Sequence, residues 1–217
     1  MPRKTTRRPE PRWPASVALI AIGALHYALP SSMTPGPDWL LLVSVILLLI
    51  PAIIAHQRGR HDINQVLGYI IMALVTSELI ASLGLLIAGL PSHKESPKTL
   101  LIAAAGLWAS NILVFASWYW RLDAGGPNER EVRGTHTGGA FLFPQMMLDP
   151  ELKTDICGHG WSPGFVDYLF LAFNTSTAFS PTDVPVLTRW AKLMMMVQSL
   201  ISLTAVVVLA ARAINIL

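Results

Sequence analysis

Long apolar runs set the terms on which this chain can fold. They extend from about Pro14 to Leu29, Trp39 to Ile54, Val66 to Leu90, Leu100 to Trp120 and Trp190 to Leu217, and charges are rare within them. A helix needs about 17 to 25 residues of this kind to cross a bilayer. Inside a bilayer the backbone must satisfy its own hydrogen bonds. The composition agrees: 53% of residues are hydrophobic and 13% are charged, against about 25% charged in a soluble domain. An all-α integral membrane protein is expected. The first run is short for a span, with Trp13 and Tyr27 placed for the two interfaces, and Pro51 should kink the second. The fourth ends in the aromatic cluster Trp118, Tyr119 and Trp120, as at a membrane interface.

The runs divide the chain. Residues 1–14 form a basic tail, 15–121 a four-helix transmembrane region, 122–162 a long polar loop with one apolar knot (GGAFLFPQMM), and 163–217 a C-terminal module. The net charge is +3, with much of the excess in the tail. That pattern reads as a topology signal, and no nucleic-acid partner is expected. Cys157 is the single cysteine, so no internal disulfide forms. No A-x-A site follows the first run, so no cleaved signal peptide is expected.

The C-terminal module holds the least ordinary stretch. Ser162 and Pro163 are a good helix start, a capping hydroxyl followed by Pro at the first helical position. The apolar part that follows, Phe165 to Phe173, is too short to cross a bilayer, which takes about 20 residues. Then comes FNTSTAFSPTDVP, with hydroxyls, an Asn, a Pro and an Asp at apparent membrane depth. Such backbone is tolerated where it is buried in protein or lines a cavity. Two readings stand: a short packed or interfacial helix, and a re-entrant half-helix that dips in, turns and comes back out.

At these residues the sequence resembles the pore module of the potassium-channel superfamily, whose turn reads approximately F-x-T-x-T-T-V-G-Y-G-D. Here the same length reads F-N-T-S-T-A-F-S-P-T-D, so Phe173, Thr175, Thr177 and Asp183 match. The filter glycines are replaced by Ser180 and Thr182 and the tyrosine by Pro181. Those glycines permit the positive φ that aims successive carbonyls at the ion, a geometry that Ser and Thr resist and Pro forbids. The resemblance therefore implies a pore-loop framework without potassium selectivity. Over nearly its full length the chain also resembles bacterial inner-membrane proteins grouped as a domain of unknown function. WYWRLDAGGP, FLFPQM, FVDYLFLAF and TAFSPTDVPVLTRWAKLMMMVQSLISL carry that likeness. It implies a small multi-helix membrane protein and no particular activity.

With five spans, one re-entrant segment and a cytoplasmic N-terminus, all 16 Lys and Arg except Lys94, Lys98 and Arg212 fall on the cytoplasmic side. The rule that positive loops stay inside favours this arrangement. It makes the turn enter from the cytoplasm, as in ionotropic glutamate receptors rather than potassium channels.

Glu78 lies near the centre of the third run, where an ionisable group faces the bundle interior or water. It is either a proton or cation relay or a protonated acid bonded to Ser77, Ser82 or a neighbouring helix; Arg212 is an alternative partner. Asn111, Gln198, Ser199 and Ser202 are polar groups of the kind that join helices, with Gln198 and Ser202 on one face. His26 reads as a core or interface histidine. Asp155, Cys157, His159 and His136 have ligand chemistry without zinc spacing. No metal, cofactor or catalytic residue is assigned, and no enzymatic activity is expected.

The fold expected is thus five transmembrane helices plus one re-entrant half-helix and turn before the last helix. The function expected is a pore-loop-type subunit in the bacterial inner membrane, homo-oligomeric and a tetramer if it forms a pore, passing a monovalent cation. Thr175, Ser176, Thr177, Ser180, Thr182 and Asp183 are the turn candidates, and Glu78, Asn111 and Gln198 the intramembrane ones. The alternative is a non-conducting scaffold or accessory subunit that binds a partner through the long loop.

Overall fold

A computed structural model describes residues 10–92, 95–158, 161–178 and 184–214, without the side chains of Ser92 and Arg212. The described chain is helical. Its helices are α1 (Trp13–Tyr27), α2 (Leu40–Gln57), α3 (His61–Gly89), α4 (Pro97–Leu122), α5 (Gly126–Arg133), α6 (Pro150–Cys157), α7 (Phe165–Ala178) and α8 (Arg189–Ile214). Among the described residues the only β pairing is an isolated bridge between Phe141 and Val186. Four helices, α2, α3, α4 and α8, are long and apolar enough to cross a membrane, and α1 is a shorter apolar helix.

The boundaries follow local chemistry. Pro97 opens α4, and the Ser96 hydroxyl accepts the Thr99 N–H at 3.1 Å, which engages one of the unpaired donors of the first turn. Helix α2 continues through Pro51 as a single element. At the end of α4 the chain reverses through three residues with positive φ, Ala124, Gly125 and Gly126. A Cβ on Gly126 would press on the Arg121 carbonyl at 2.5 Å, so the turn into α5 requires glycine there.

Helix α4 is the hub. It packs against α1, α3, α7 and α8, while α2 packs against α1 and α3. Its buried side is lined by Ala103, Ala104, Leu107, Asn111, Val114, Phe115 and Tyr119. Helix α8 offers α4 and α7 a narrow stripe of Ala191, Met195, Gln198, Ser202, Ala205 and Val208. The small members let backbones approach closely, as helices in lipid require. Its other side exposes Leu193, Met196, Leu200, Leu203 and Val207.

Several chain segments meet at one end of this bundle. Arg12, just before α1, pairs with Glu131 of α5 at 2.8 Å. The Trp120 ring at the end of α4 meets Phe165 at the start of α7, and Phe141 of the long loop meets Trp190 at the start of α8. Helices α7 and α8 therefore begin at the same end. This basic end also carries the turn with Arg58 and Arg60 between α2 and α3, and Arg121, Arg130 and Arg133. The long loop is mostly ordered onto it: Ala140, Phe141 and Phe143 are core residues.

Helix α1 lies close on α2 at Gly23, where an added Cβ would fall 2.9 Å from Leu42 Cδ1 and 3.0 Å from Leu42 Cα. Gly23→Val should therefore lower stability by about 1–3 kcal/mol, the usual cost of overpacking. Gly84 has nothing within 4 Å of its Cβ position, so Gly84→Val should change little. Thermal melting of both variants in the same detergent checks the difference.

Candidate functional site

Helix α7 has 14 residues and so spans about 21 Å at the usual 1.5 Å per residue. It starts later than the Ser162-Pro163 pair suggests. The Asp167 carboxylate accepts the Gly164 N–H at 2.8 Å, so an acid inside the first turn satisfies the helix start instead of the Ser162 hydroxyl. Its buried residues, Phe165, Tyr168, Leu171, Ala172, Thr175 and Ser176, follow helical spacing and face α4 and α8.

A fully buried carboxamide, Gln198 of α8, fixes the inner half of α7. Its Nε2 donates to the Ala172 carbonyl at 2.7 Å and to the Ser176 hydroxyl at 2.8 Å. Its Oε1 accepts the Tyr119 hydroxyl of α4 at 2.6 Å, and its backbone carbonyl accepts Asn111 Nδ2 at 3.1 Å. One turn further along α8, Ser202 donates to the Ser176 carbonyl at 3.2 Å. Three helices are thus tied by one side chain and its neighbours. Asn111, Gln198 and Ser176 of the expected set come together here.

The other turn candidates divide. Thr175 is buried and its hydroxyl donates to the Leu171 carbonyl of its own helix. Thr177 is exposed and donates to the Phe173 carbonyl at 3.0 Å. Ser180, Thr182 and Asp183 lie outside the described residues. Glu78 stands apart from this group. Its Oε2 lies 3.9 Å from His26 Nε2, and the Ser77 hydroxyl is engaged by the Ala73 carbonyl instead. Glu78 Oε2 and the Ser82 hydroxyl have no hydrogen-bond partner among the described residues. Among those residues no three His, Cys, Asp or Glu side chains converge on a metal-sized site.

A second polar centre holds the mouth of α7. Asp123, 0% exposed, follows α4. Its carboxylate accepts the Tyr168 hydroxyl at 2.8 Å and the Ala140 N–H, and lies 2.8 Å from His136 Nε2. Arg130, 5% exposed, donates to the Trp120 and Asp123 carbonyls, pairs with Glu10 at 3.1 Å and stands over the Tyr168 ring. Burial, reinforced by the Asp123 carboxylate, holds the Tyr168 phenol well above its usual pKa, so it remains a donor. This cluster joins residues up to 120 positions apart. Residue spacing carries no sign of it; the sole sequence signal is charge placed between an aromatic belt and a Gly-Gly-Pro turn.

Compared with known proteins, the chain matches no family, no curated protein and no solved structure.

Two substitutions test this geometry. Gln198→Leu leaves the Tyr119 and Ser176 hydroxyls without their partner and should cost about 1–3 kcal/mol. Combined with Tyr119→Phe in a double-mutant cycle, it should show a coupling of about 0.6 kcal/mol, the mean for hydrogen bonds between membrane helices, and no more than about 1.7. Asp123→Ala strips three donors of one buried acceptor and should cost about 3–5 kcal/mol, as when a buried ionic partner is removed. Asp123→Asn, keeping shape and one acceptor oxygen, should cost less by the same unfolding measurement.

Proposed function

We propose that this chain is an integral membrane protein of pore-loop type in the bacterial inner membrane, and that copies of it assemble symmetrically to pass a small monovalent cation. In this reading α1, α2, α3, α4 and α8 cross the bilayer, and α7 is a re-entrant half-helix. The single observation that carries the reading is the placement of α7. It starts at the same end as α8 and stops about halfway along it, held there by Gln198. Half-helix, turn and long helix in that order are the parts of a pore loop. The C-terminal end of α7 would turn its partial negative charge toward a cation. The basic end faces the cytoplasm, and the turn is entered from that side.

Any path lies between copies. Within one chain the Thr175 and Ser176 hydroxyls are both engaged and buried. Thr177, exposed at the end of α7, is left for a neighbouring copy or an ion. The exposed stripe of α8 would face that neighbour or lipid.

The same engagement favours a second reading, a non-conducting subunit in which α7 is a closed plug. A partner would then meet the long loop at α6, because Phe141, Phe143 and Arg130 are committed to the bundle. Helix α6 exposes Leu152 and Ile156 one turn apart.

Recording from purified protein in planar bilayers, beside its mass in detergent, tests the choice. The pore reading expects an oligomer with cation conductance altered by Thr177→Val and by Asp183→Ala. A silent monomer, or a conductance indifferent to both substitutions, contradicts it and leaves the plug.

A further inference from the structure

A cavity of about 270 Å³ opens at the basic end among α1, α2, α3 and α4. Its walls are largely apolar, with Leu19, Leu49, Ile71 and Met72 among them, and its polar groups are neutral (Ser16, Gln57, Asn64, Ser117) or basic. The titratable groups that line it are Arg12, His56 and Arg121, and no carboxylate lines it. The acids nearest in the fold are already engaged: Glu131 by Arg12, and Glu10 by Arg130 and Trp120.

Arg121 is the anomaly. It belongs to the last turn of α4, and its guanidinium lies against the backbone of α3 at Gly68, where any Cβ would overlap it. The Tyr69 and Trp120 rings stand 6.0 and 5.8 Å from its Cζ. No described residue gives it an ion pair; those of the described arginines belong to Arg12, Arg130 and Arg133. Residues 1–9 contain no carboxylate either. Two further atoms around the cavity, Arg12 Nε and His56 Nδ1, are buried with no hydrogen-bond partner among the described residues. A guanidinium partly withdrawn from water without an anion bears part of its desolvation cost uncompensated. Its planar fork of donors matches phosphate oxygens.

We propose that this cavity binds the phosphate of an acidic phospholipid, with Arg121 as the principal contact and Arg12 and His56 beside it. The source is lipid rather than free phosphate because the cavity is apolar beyond its polar groups and its rim is exposed on the apolar surface: Trp13 is 69% and Ile53 40% exposed. A head group would enter from the side between α1 and α2 with its acyl chains along the exposed Val17, Ile20 and Ile50. Basic pockets between membrane helices on the cytoplasmic side recognise such head groups. The site requires a membrane-embedded chain and is independent of whether the turn conducts.

The test uses the full chain, delipidated in neutral detergent, with phosphatidylglycerol, phosphatidylcholine or inorganic phosphate added. Native mass spectrometry and thermal melting are the readouts. Phosphatidylglycerol should remain bound and raise the melting temperature more than phosphatidylcholine does. Arg121→Gln should weaken that binding about tenfold or more, the loss of one charge-assisted contact, and Arg121→Lys should recover part of it. Arg58→Gln, in the exposed turn at the same end, should leave binding unchanged. The lipid-free melting temperature of Arg121→Gln should stay level or rise, because a partly buried charge without an ion pair has gone. A fall there, with lipid binding intact, makes Arg121 a packing residue and overturns the proposal. Equal stabilisation by phosphatidylcholine overturns the acidic lipid, and equal stabilisation by inorganic phosphate alone overturns the lipid source.

Discussion

The hydrogen bonds that Gln198 makes to α7 are the constraint on which the rest of the structure depends. The last carbonyls of a helix have no partner within it. Ser202 donates to one of these in α7, the Ser176 carbonyl, and Gln198 adds a donor to the Ala172 carbonyl and one to the Ser176 hydroxyl. These bonds fix α8 in rotation and in height, because the same carboxamide must also receive Tyr119. They fix α4 as well, through Tyr119 and Asn111. A shift of α8 by a single residue would turn Gln198 off the face that meets α7 and α4.

The basic end solves the complementary problem of closing the bundle where chain segments crowd together. Asp123 collects donors from α7 and the long loop, and Arg130 caps the carbonyls of Trp120 and Asp123 where α4 ends. Both charges are buried, and each has partners on more than one side, the condition under which buried charge is tolerated. Arg121, partly buried, meets only half of that condition, with aromatic faces but no anion among the described residues. The contrast between Arg130 and Arg121, nine positions apart at one end of the bundle, is what separates a structural arginine from one that awaits a ligand.

Much of the bundle was legible in the sequence because apolar length is a local property. The runs at 39–54, 66–90, 100–120 and 190–217 lie within or close to helices α2, α3, α4 and α8. Structure extended α7 beyond its apolar part, to Ala178, because Asn174, Thr175, Ser176 and Thr177 are helical, with Thr175 and Thr177 bonding back to their own turn. Asn111, Gln198 and Ser202 stood out as polar groups in apolar runs, and the structure brings them to one place. The Asp123 cluster was all but invisible, since Glu10, Asp123, Arg130, His136 and Tyr168 share no spacing and come from separate segments of the chain. The cavity was invisible for the same reason: four helices contribute to it, and its defining feature, a missing carboxylate, has no signature along one strand of sequence. Glu78 was recognised as an intramembrane acid, but its neighbour proved to be His26, 52 residues earlier, across α1 and α3.

The central claim is that α7 enters the membrane and the chain comes back to the side it left. Single cysteines at Val166, Thr177 and Leu187, in a chain with Cys157→Ser, report this directly in sealed vesicles of known orientation. A membrane-impermeant thiol reagent should modify the Val166 and Leu187 positions from the same side, with Thr177 slow from either. Modification of Val166 and Leu187 from opposite sides would make the segment a crossing one and contradict the account.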